Sequence, residues 1–245
     1  MAGEEYSRGS GFRKIVLPPG SVLKLLREED ALPEFVEVPA TDLLRGKRRG
    51  FYVALEGIDG SGKTTIAGLL REMLVSRGIK CIIVREPWTP EAKKLLAESR
   101  DLNPLVEAYL FAADRLVLHA RVISKELEKG TLIIGDRSFI ASLAYQVVRG
   151  VPEEIVESIN AFALKPNIIF LLDLPVEEAL ERIKSKNSKQ LEHLEKKELL
   201  EKIRERYLLL AQTRKDLNIQ VVNATKDPTS IAKEILKRIM EKLGK

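Results

Sequence analysis

The chain has 245 residues, and its 41 basic and 36 acidic side chains give a formal net charge of +5. Hydrophobic residues make up 44% of the sequence, which is enough for a sizeable buried core and excludes a wholly disordered chain. The small excess of positive charge allows anionic ligands, but it does not require nucleic acid. We therefore do not expect a nucleic-acid partner.

Cysteine content and hydropathy exclude two further classes. Cys81 is the only cysteine, so an internal disulfide framework and a cysteine-based zinc site are excluded, and the usage is typical of a reducing cytoplasm. No apolar run approaches the roughly 18 residues of a membrane span. Residues 1–10 lack the apolar core of a signal peptide. We expect a soluble cytoplasmic protein with no membrane partner.

Residues 1–50 differ in pattern from the rest of the chain. They contain four prolines, have little sustained periodicity and end in the basic run Lys47-Arg48-Arg49-Gly50. We predict an N-terminal extension over 1–50, of unassigned role, followed by one domain over 51–245. The basic end of the extension has two interpretations, a phosphate contact or a solvated linker, and short charge runs are usually exposed surface.

From Phe51 onward, short apolar runs alternate with longer helical patterns. Runs rich in Val, Ile and Leu predict strands at Phe51–Glu56, Ile79–Val84, Thr131–Gly135, Asn167–Leu172 and Ile219–Val222. Helical patterns lie at Lys63–Arg77, Glu91–Ser99, Pro104–Lys129, Pro152–Ala163, Val176–Lys186, Glu195–Leu217 and Thr229–Leu243. Nearly continuous hydrophobicity is typical of strands buried on both faces. The pattern predicts an α/β three-layer sandwich, with a five-stranded parallel sheet flanked by helices.

The first predicted strand and helix are joined by a phosphate-binding loop. The sequence from Gly57 to Thr64, GIDGSGKT, matches the pattern G-x-x-x-x-G-K-[ST] in the required strand–loop–helix context. Glycines let backbone N–H groups approach phosphate oxygens, Lys63 reaches the β- and γ-phosphates, and the Thr64 hydroxyl binds Mg²⁺. The alternative is a glycine-rich turn without a ligand. The predicted ATP-binding residues are Gly57, Gly60, Ser61, Gly62, Lys63, Thr64 and Thr65.

Beyond the loop, three further blocks in order make the sequence similar to the thymidylate kinase family. The four blocks are EGIDGSGKTT at 56–65, REP at 85–87, LFAADR at 110–115, and DR at 136–137 followed by SLAYQ at 142–146. The resemblance runs from about Phe51 to the C-terminus. It implies a P-loop nucleoside monophosphate kinase that converts ATP and dTMP to ADP and dTDP with Mg²⁺, has a mobile lid at about 184–195, and forms a homodimer. The alternatives are a kinase for another nucleoside monophosphate or a deoxynucleoside, or a P-loop ATPase acting with nucleic acid.

Phe111 and Arg115 lie four residues apart in a predicted helix and therefore share one face. An aromatic ring and a guanidinium in this arrangement stack on a base and donate to its edge. Because arginine has only donors, it favours thymine or uracil, which carry a carbonyl at position 4, over cytosine. The alternative is that Phe111 belongs to the core and Arg115 pairs with a surface carboxylate.

Asp136 and Arg137 follow a buried apolar run, at the edge of the sheet where ligands bind in open α/β folds. The resemblance implies that Arg137 binds the acceptor phosphate and that Asp136 lies near Mg²⁺. It also implies that Ser142 and Gln146, on a further predicted helix, contact the thymine edge, and that Tyr145 crowds the 2′ position of the sugar.

The remaining acceptor residues are also implied by the resemblance. Asp59 matches a family carboxylate that binds the 3′-hydroxyl, and Glu86 approaches the sugar and phosphate. Lys93 replaces a phosphate-binding arginine, and the family's Pro-Gly-Gly-Thr turn is replaced by Pro87-Trp88-Thr89-Pro90. Lysines of the lid supply the remaining cation. We predict a catalytic set of Lys63, Arg137, Asp59 and Lys186.

Overall fold

The computed structural model describes residues 49–98, 102–186 and 193–244, without the side chains of residues 186 and 193–196. Apart from Arg49 and Gly50, the expected N-terminal extension lies outside the described residues, as do residues 187–192 of the expected lid. In the described part of the chain, no helix has the length and apolar character needed to cross a membrane.

Five parallel strands form a single sheet. They are β1 Phe51–Glu56, β2 Cys81–Arg85, β3 Leu132–Asp136, β4 Ile168–Asp173 and β5 Ile219–Asn223, in the order β2-β3-β1-β4-β5. Residues Tyr52 to Leu55 of the central strand β1 are inaccessible to solvent, as expected for a strand covered on both faces. The predicted five-stranded parallel sheet flanked by helices is confirmed.

The helices follow the strands in alternation. They are α1 Lys63–Val75, α2 Pro90–Glu98, α3 Pro104–Leu118, α4 Ser124–Glu128, α5 Phe139–Val148, α6 Glu153–Ile159, α7 Val176–Lys186, α8 His193–Thr213 and α9 Pro228–Lys242. Helix α1 packs beside α9, while α5 packs against both α3 and α8. The buried apolar sides of the strands and helices form two clusters, a large one and a smaller one that includes Leu118, Ile123 and Leu127.

Three helices differ from the sequence prediction, and one of them is α8, which was predicted to end at Leu217 and ends at Thr213. The helix predicted over Pro104–Lys129 contains a π-helical turn at His119–Ile123, where Nδ1 of His119 accepts a hydrogen bond from the Leu164 amide at 3.0 Å. The helix predicted over Pro152–Ala163 ends at Ile159, because Asn160 leaves the helical conformation and its side-chain amide donates to the Val156 carbonyl at 2.8 Å. The segment after Asn160 therefore packs on His119 instead of continuing the helix.

The order of the sheet brings the ends of several strands together. Glu56, Arg85, Asp136 and Asp173 are the last residues of β1, β2, β3 and β4, so all four lie at the carboxyl edge of the sheet. Between β1 and α1 the chain turns through Gly60, whose φ is +85°. A Cβ atom there would lie 2.5 Å from the Ala179 carbonyl oxygen, so only glycine lets the turn approach α7 this closely.

Candidate active site

Two cavities open at the carboxyl edge of the sheet and share part of their walls. The larger, about 640 Å³, is lined by the turn after β1 and the start of α1; we call it the loop cavity. The smaller, about 230 Å³, lies between α3 and α5; we call it the helix cavity. Asp59, Glu86 and Arg137 line both. A ligand in one cavity therefore faces a ligand in the other across these three side chains.

The predicted phosphate-binding residues form the floor of the loop cavity. Lys63 donates from Nζ to the carbonyl oxygens of Gly57 and Ile58, at 2.9 Å in each case, and to Oγ of Ser61 at 3.4 Å. Burial, with a smaller effect from the nearby Arg137 charge, lowers the pKa of Lys63 to about 8. Gly57, the first residue of the motif, does not line the loop cavity. The other predicted ATP-binding residues line the cavity itself: Gly60, Ser61, Gly62, Lys63, Thr64 and Thr65.

The two predicted metal ligands are in direct contact. Oγ1 of Thr64 donates to Oδ2 of the buried Asp136 at 2.8 Å. Arg85 donates to the same oxygen from Nε at 2.9 Å and from Nη2 at 2.7 Å, and its Nη2 also contacts the Thr64 hydroxyl. Arg85 ends β2 and pairs in register with Asp136 at the end of β3, which explains why the two side chains meet.

Arg137 lies at the boundary between the cavities. Its φ is +83°, a left-handed conformation that non-glycine residues rarely adopt, and its amide donates to the Leu55 carbonyl at 3.1 Å. The guanidinium pairs with Asp59 and donates to the Tyr145 hydroxyl at 3.2 Å. It also lies over the Tyr145 ring, 4.7 Å from the ring centre. The strained backbone thus aims a cation at the junction of the two cavities.

Arg115 is a buried partner of Glu86. Only 1% of the side chain is exposed, and it donates to Oε2 of Glu86 from Nε at 2.8 Å and from Nη2 at 2.6 Å. Further donors reach Asn160 and, at 3.2 Å, Oγ of Ser142. Arg115 therefore pairs with a carboxylate, as in the alternative interpretation. That carboxylate is buried, however, and does not lie on the surface. Arg115 still lines the helix cavity, with its orientation fixed by protein contacts.

The other predicted acceptor residues also line the helix cavity. Phe111 and Tyr145 are partly buried, whereas Ser142 and Gln146 are almost fully buried on α5. Two residues without a predicted role, Glu107 and Arg149, form an ion pair at the same cavity. The i, i+4 spacing of Phe111 and Arg115 on α3 does place both on one face, as expected.

Lys93 is a predicted acceptor-side residue that the structure does not bring to either cavity. It is exposed on α2, whose buried residue is the neighbouring Ala92. Because successive residues of an α-helix are rotated by about 100°, the burial of Ala92 turns Lys93 towards solvent. The expectation of a phosphate contact at Lys93 is thus not supported by the geometry.

Asp114 holds the turn that follows the cis Glu86–Pro87 bond. Its carboxylate accepts from the Trp88 amide at 2.6 Å, the Thr89 amide at 2.8 Å and the Thr89 hydroxyl at 2.6 Å. No role was predicted for Asp114 from its sequence position. Its place within the LFAADR block, beside Arg115, was the signal that pointed to it.

Glu56 is a second missed residue. It is completely buried, and its carboxylate accepts from Oγ of Ser138 at 2.6 Å and from the Tyr207 hydroxyl at 2.9 Å. Burial raises the pKa of Glu56 above its ordinary value. The signal in the sequence was an acidic residue at the end of an apolar strand, immediately before the loop.

The outer wall of the loop cavity carries further cations. Arg182, on α7, donates to the Ala224 carbonyl at 3.1 Å, and Lys226 follows β5. Neither was predicted. Lys186, predicted to be catalytic, is the last residue of α7, and its side chain lies outside the described residues. The described lining of the cavity thus has more cations than carboxylates, which favours a polyphosphate ligand.

A basic cavity at a phosphate loop, opening directly on a second cavity with an aromatic and amide lining, defines the chain as a P-loop nucleoside monophosphate kinase. The comparisons with known proteins narrow this class to one family. The family model described as "Thymidylate kinase" matches residues 55–235. The chain therefore belongs to the thymidylate kinase family, as the sequence resemblance predicted.

Individual relatives agree with the family match. "Probable thymidylate kinase 1" of Saccharolobus solfataricus is 41% identical over 192 residues, covering 78% of this chain and 97% of the relative. "Probable thymidylate kinase" of Thermococcus kodakarensis is 39% identical over 205 residues, covering 79% and 98%. "Thymidylate kinase" of Thermosipho melanesiensis is 40% identical over 197 residues, covering 78% and 97%.

Proposed function

We propose that the chain transfers the γ-phosphoryl group of ATP to dTMP, giving ADP and dTDP, with Mg²⁺ as cofactor. The observation that carries this proposal is the junction of the loop cavity and the helix cavity at Asp59, Glu86 and Arg137. A donor in one cavity and an acceptor in the other meet end to end there. The names of the relatives support dTMP as the acceptor.

On the donor side, the loop cavity takes the polyphosphate of ATP. The first N–H groups of α1 have no partner within the helix and open on this cavity, together with the positive end of the helix dipole. Lys63 turns from the loop carbonyls towards the β- and γ-phosphates. Catalysis then consists of positioning and charge neutralisation, to which Lys63, Arg137 and the proposed lid cation Lys186 contribute.

The residues present fit a magnesium ion. Thr64 and Asp136 supply a hydroxyl and a carboxylate oxygen 2.8 Å apart, which are the hard ligands that Mg²⁺ prefers. Among the described residues, no group of three or more His, Cys, Asp or Glu forms a metal cage. This agrees with Mg²⁺ binding in kinases, where one or two protein ligands act together with substrate phosphates. When bound, the ion neutralises charge on the β- and γ-phosphates.

On the acceptor side, the helix cavity takes dTMP with its phosphate at Arg137. Phe111 supplies a ring for stacking on the base, and Ser142 and Gln146 supply polar groups for its edge, with Arg115 at the inner end. Oε1 of Glu86 is buried and has no hydrogen-bond partner among the described residues, so it remains available to a ligand at the junction. Because the second pKa of a phosphate monoester is about 6, dTMP is a dianion at neutral pH and needs no strong base.

A coupled ADP-release assay with dTMP, dUMP, dCMP, UMP and dGMP tests the function. We expect dTMP to be the best acceptor. Phe111→Ala should raise KM for dTMP at least about fivefold, because base–aromatic stacking contributes about 1–3 kcal/mol, and should leave KM for ATP unchanged. Phe162→Ala is the matched control, since Phe162 is exposed and lines neither cavity.

Two results would contradict the proposal. One is a preference for a purine or cytosine acceptor. The other is ATP hydrolysis that DNA or RNA stimulates and dTMP does not affect, which would favour a nucleic-acid-dependent ATPase.

We also propose that the protein is a cytoplasmic homodimer. Support for dimerisation comes from α3 and the turn after it, where Val106, Tyr109, Ala113, Leu116 and Ala120 are exposed. Their spacing of three and four residues forms one apolar stripe along the helix, typical of a helix–helix interface. Support for the cytoplasm is the single, buried cysteine.

A further inference from the structure

Arg85 occupies the position where the proposed metal ligands converge. Oδ2 of Asp136 accepts from the Thr64 hydroxyl at 2.8 Å and from Nη2 and Nε of Arg85 at 2.7 Å and 2.9 Å. The guanidinium therefore neutralises the one carboxylate of the predicted metal pair, and it covers the hydroxyl as well.

The same oxygen cannot serve Arg85 and a divalent cation at once. The two cations would lie within a few ångströms of each other, and their repulsion is strong at that separation. Three hydrogen-bond donors also use the lone pairs that a metal ion would need. Arg85 must therefore move before a cation can bind Oδ2 of Asp136.

Arg85 is placed so that it can move. Its side chain is 52% exposed, whereas that of Asp136 is 5% exposed, so the arginine is the mobile member of the pair. Ion pairs with one exposed member are weak and easily exchanged. Arg85 also lines the loop cavity, where phosphate oxygens would offer it a second, bidentate partner.

We propose that Arg85 is a built-in counter-ion of the metal site. It holds the charge of Asp136 in the nucleotide-free protein and transfers to a phosphate when the nucleotide enters with its divalent cation. The protein consequently has little affinity for the free cation and binds cation and nucleotide together. This inference rests on the proposed function, because it uses the assignment of Thr64 and Asp136 as metal ligands.

The test measures Mn²⁺ binding to nucleotide-free protein by electron paramagnetic resonance, without any activity readout. We expect Arg85→Gln to bind Mn²⁺ about fivefold to tenfold more tightly than the wild type, because a like charge next to the site has been removed. Arg85→Lys keeps a charge and should stay close to the wild type. Arg77→Gln is the matched control, since Arg77 is an exposed arginine bonded only to the Met73 carbonyl among its described contacts.

Adding Asp136→Asn to Arg85→Gln shows whether the gained affinity belongs to this site. The double variant should lose the gain, whereas a retained gain would overturn the proposal. Unchanged or weaker Mn²⁺ binding in folded Arg85→Gln, checked by circular dichroism, would also overturn it.

A second measurement follows the coupling between cation and ADP. The factor by which Mn²⁺ tightens ADP binding should be smaller in Arg85→Gln than in the wild type, by about the factor gained for free Mn²⁺. An equal coupling factor in both proteins would contradict the proposal. Failure of the proposed function can be distinguished from failure of this proposal. It would appear as a lack of activity with dTMP in the acceptor assay of the wild type, which is independent of the Mn²⁺ binding measurements.

Discussion

The carboxylate of Glu56 joins three parts of the molecule that are far apart in sequence. Glu56 is the last residue of β1, directly before the phosphate loop. Its carboxylate accepts one hydrogen bond from the hydroxyl of Ser138, the residue after Arg137, and one from the hydroxyl of Tyr207 on α8. A buried carboxylate is tolerated only when hydrogen bonds replace its hydration, and here each oxygen has one donor. Glu56 therefore fixes the loop relative to Arg137 and to helix α8.

Removing one of these donors should destabilise the fold. We expect Tyr207→Phe to lower the free energy of unfolding by about 1–3 kcal/mol, because a buried carboxylate oxygen loses its only described partner. Urea denaturation at pH 7 measures this as a lower midpoint with an unchanged slope. Thr225→Val is the control: Thr225 is exposed and lies outside the α3 stripe and both cavities, so loss of its hydroxyl should change the free energy by less than about 0.5 kcal/mol. Equal midpoints for Tyr207→Phe and the wild type would contradict the role assigned to Glu56.

At the scale of elements, the sheet was predictable and some helix ends were not. Strand β1 was predicted with its observed ends, Phe51–Glu56, because an apolar run bounded by charge and glycine has one interpretation. The end of α6 was not predictable, because it depends on Asn160 and on a bond between Leu164 and His119, a residue 45 positions earlier. Local periodicity contains no information about such a contact.

The same limit applies to the candidate site. The loop residues were predicted, since their spacing is local and their chemistry is specific. The partners of Arg115 could not be predicted from the sequence. Glu86 lies 29 residues away, and its burial depends on the packing of α3 against the turn after β2. The orientation of Lys93 likewise depends on which side of α2 is buried.

Glu126 links three elements, and its titration provides a test of that link. Its carboxylate accepts from Lys129 at 2.7 Å, from the Thr131 hydroxyl at 2.8 Å and from Lys80 at 3.1 Å. It thereby ties the end of α4 to the starts of β3 and β2. The hydrogen bonds from Lys129, Thr131 and Lys80 lower the pKa of Glu126 to about 2.

A carboxylate with a lowered pKa in the folded state stabilises the fold above its unfolded pKa and loses this effect as the pH falls. We expect Glu126→Gln to be less stable than the wild type at pH 7, and the difference to disappear between about pH 4.5 and pH 2. Thermal unfolding across this range measures it. Glu128→Gln, exposed on the same helix, should show no such dependence. A difference that persists unchanged at pH 2 would show that the effect is not due to the charge.

At the scale of the whole molecule, α3 has two sides of different character. One side contributes Phe111 and Arg115 to the helix cavity, and the other carries the exposed apolar stripe of Val106, Tyr109, Ala113, Leu116 and Ala120. A partner packed on this stripe would hold α3 in place from behind. Dimerisation and the shape of the helix cavity would then both depend on α3. A substitution on the stripe should therefore change the binding of a ligand in the helix cavity.

A charge introduced into the stripe tests whether the stripe is a dimer interface and whether that interface affects the helix cavity. We expect the wild type to have twice the chain mass of 27.6 kDa in light scattering at micromolar concentration, and Leu116→Glu to have the single-chain mass, because a buried unpaired charge opposes the interface. The monomeric variant should also show a raised KM for dTMP with little change in KM for ATP, because α3 lines the helix cavity and does not line the loop cavity. Val75→Glu is the control: Val75 is exposed on α1, away from the stripe, and should leave both the mass and the two KM values unchanged. A monomeric wild type, or a Leu116→Glu variant that still has the doubled mass, would contradict an interface on α3.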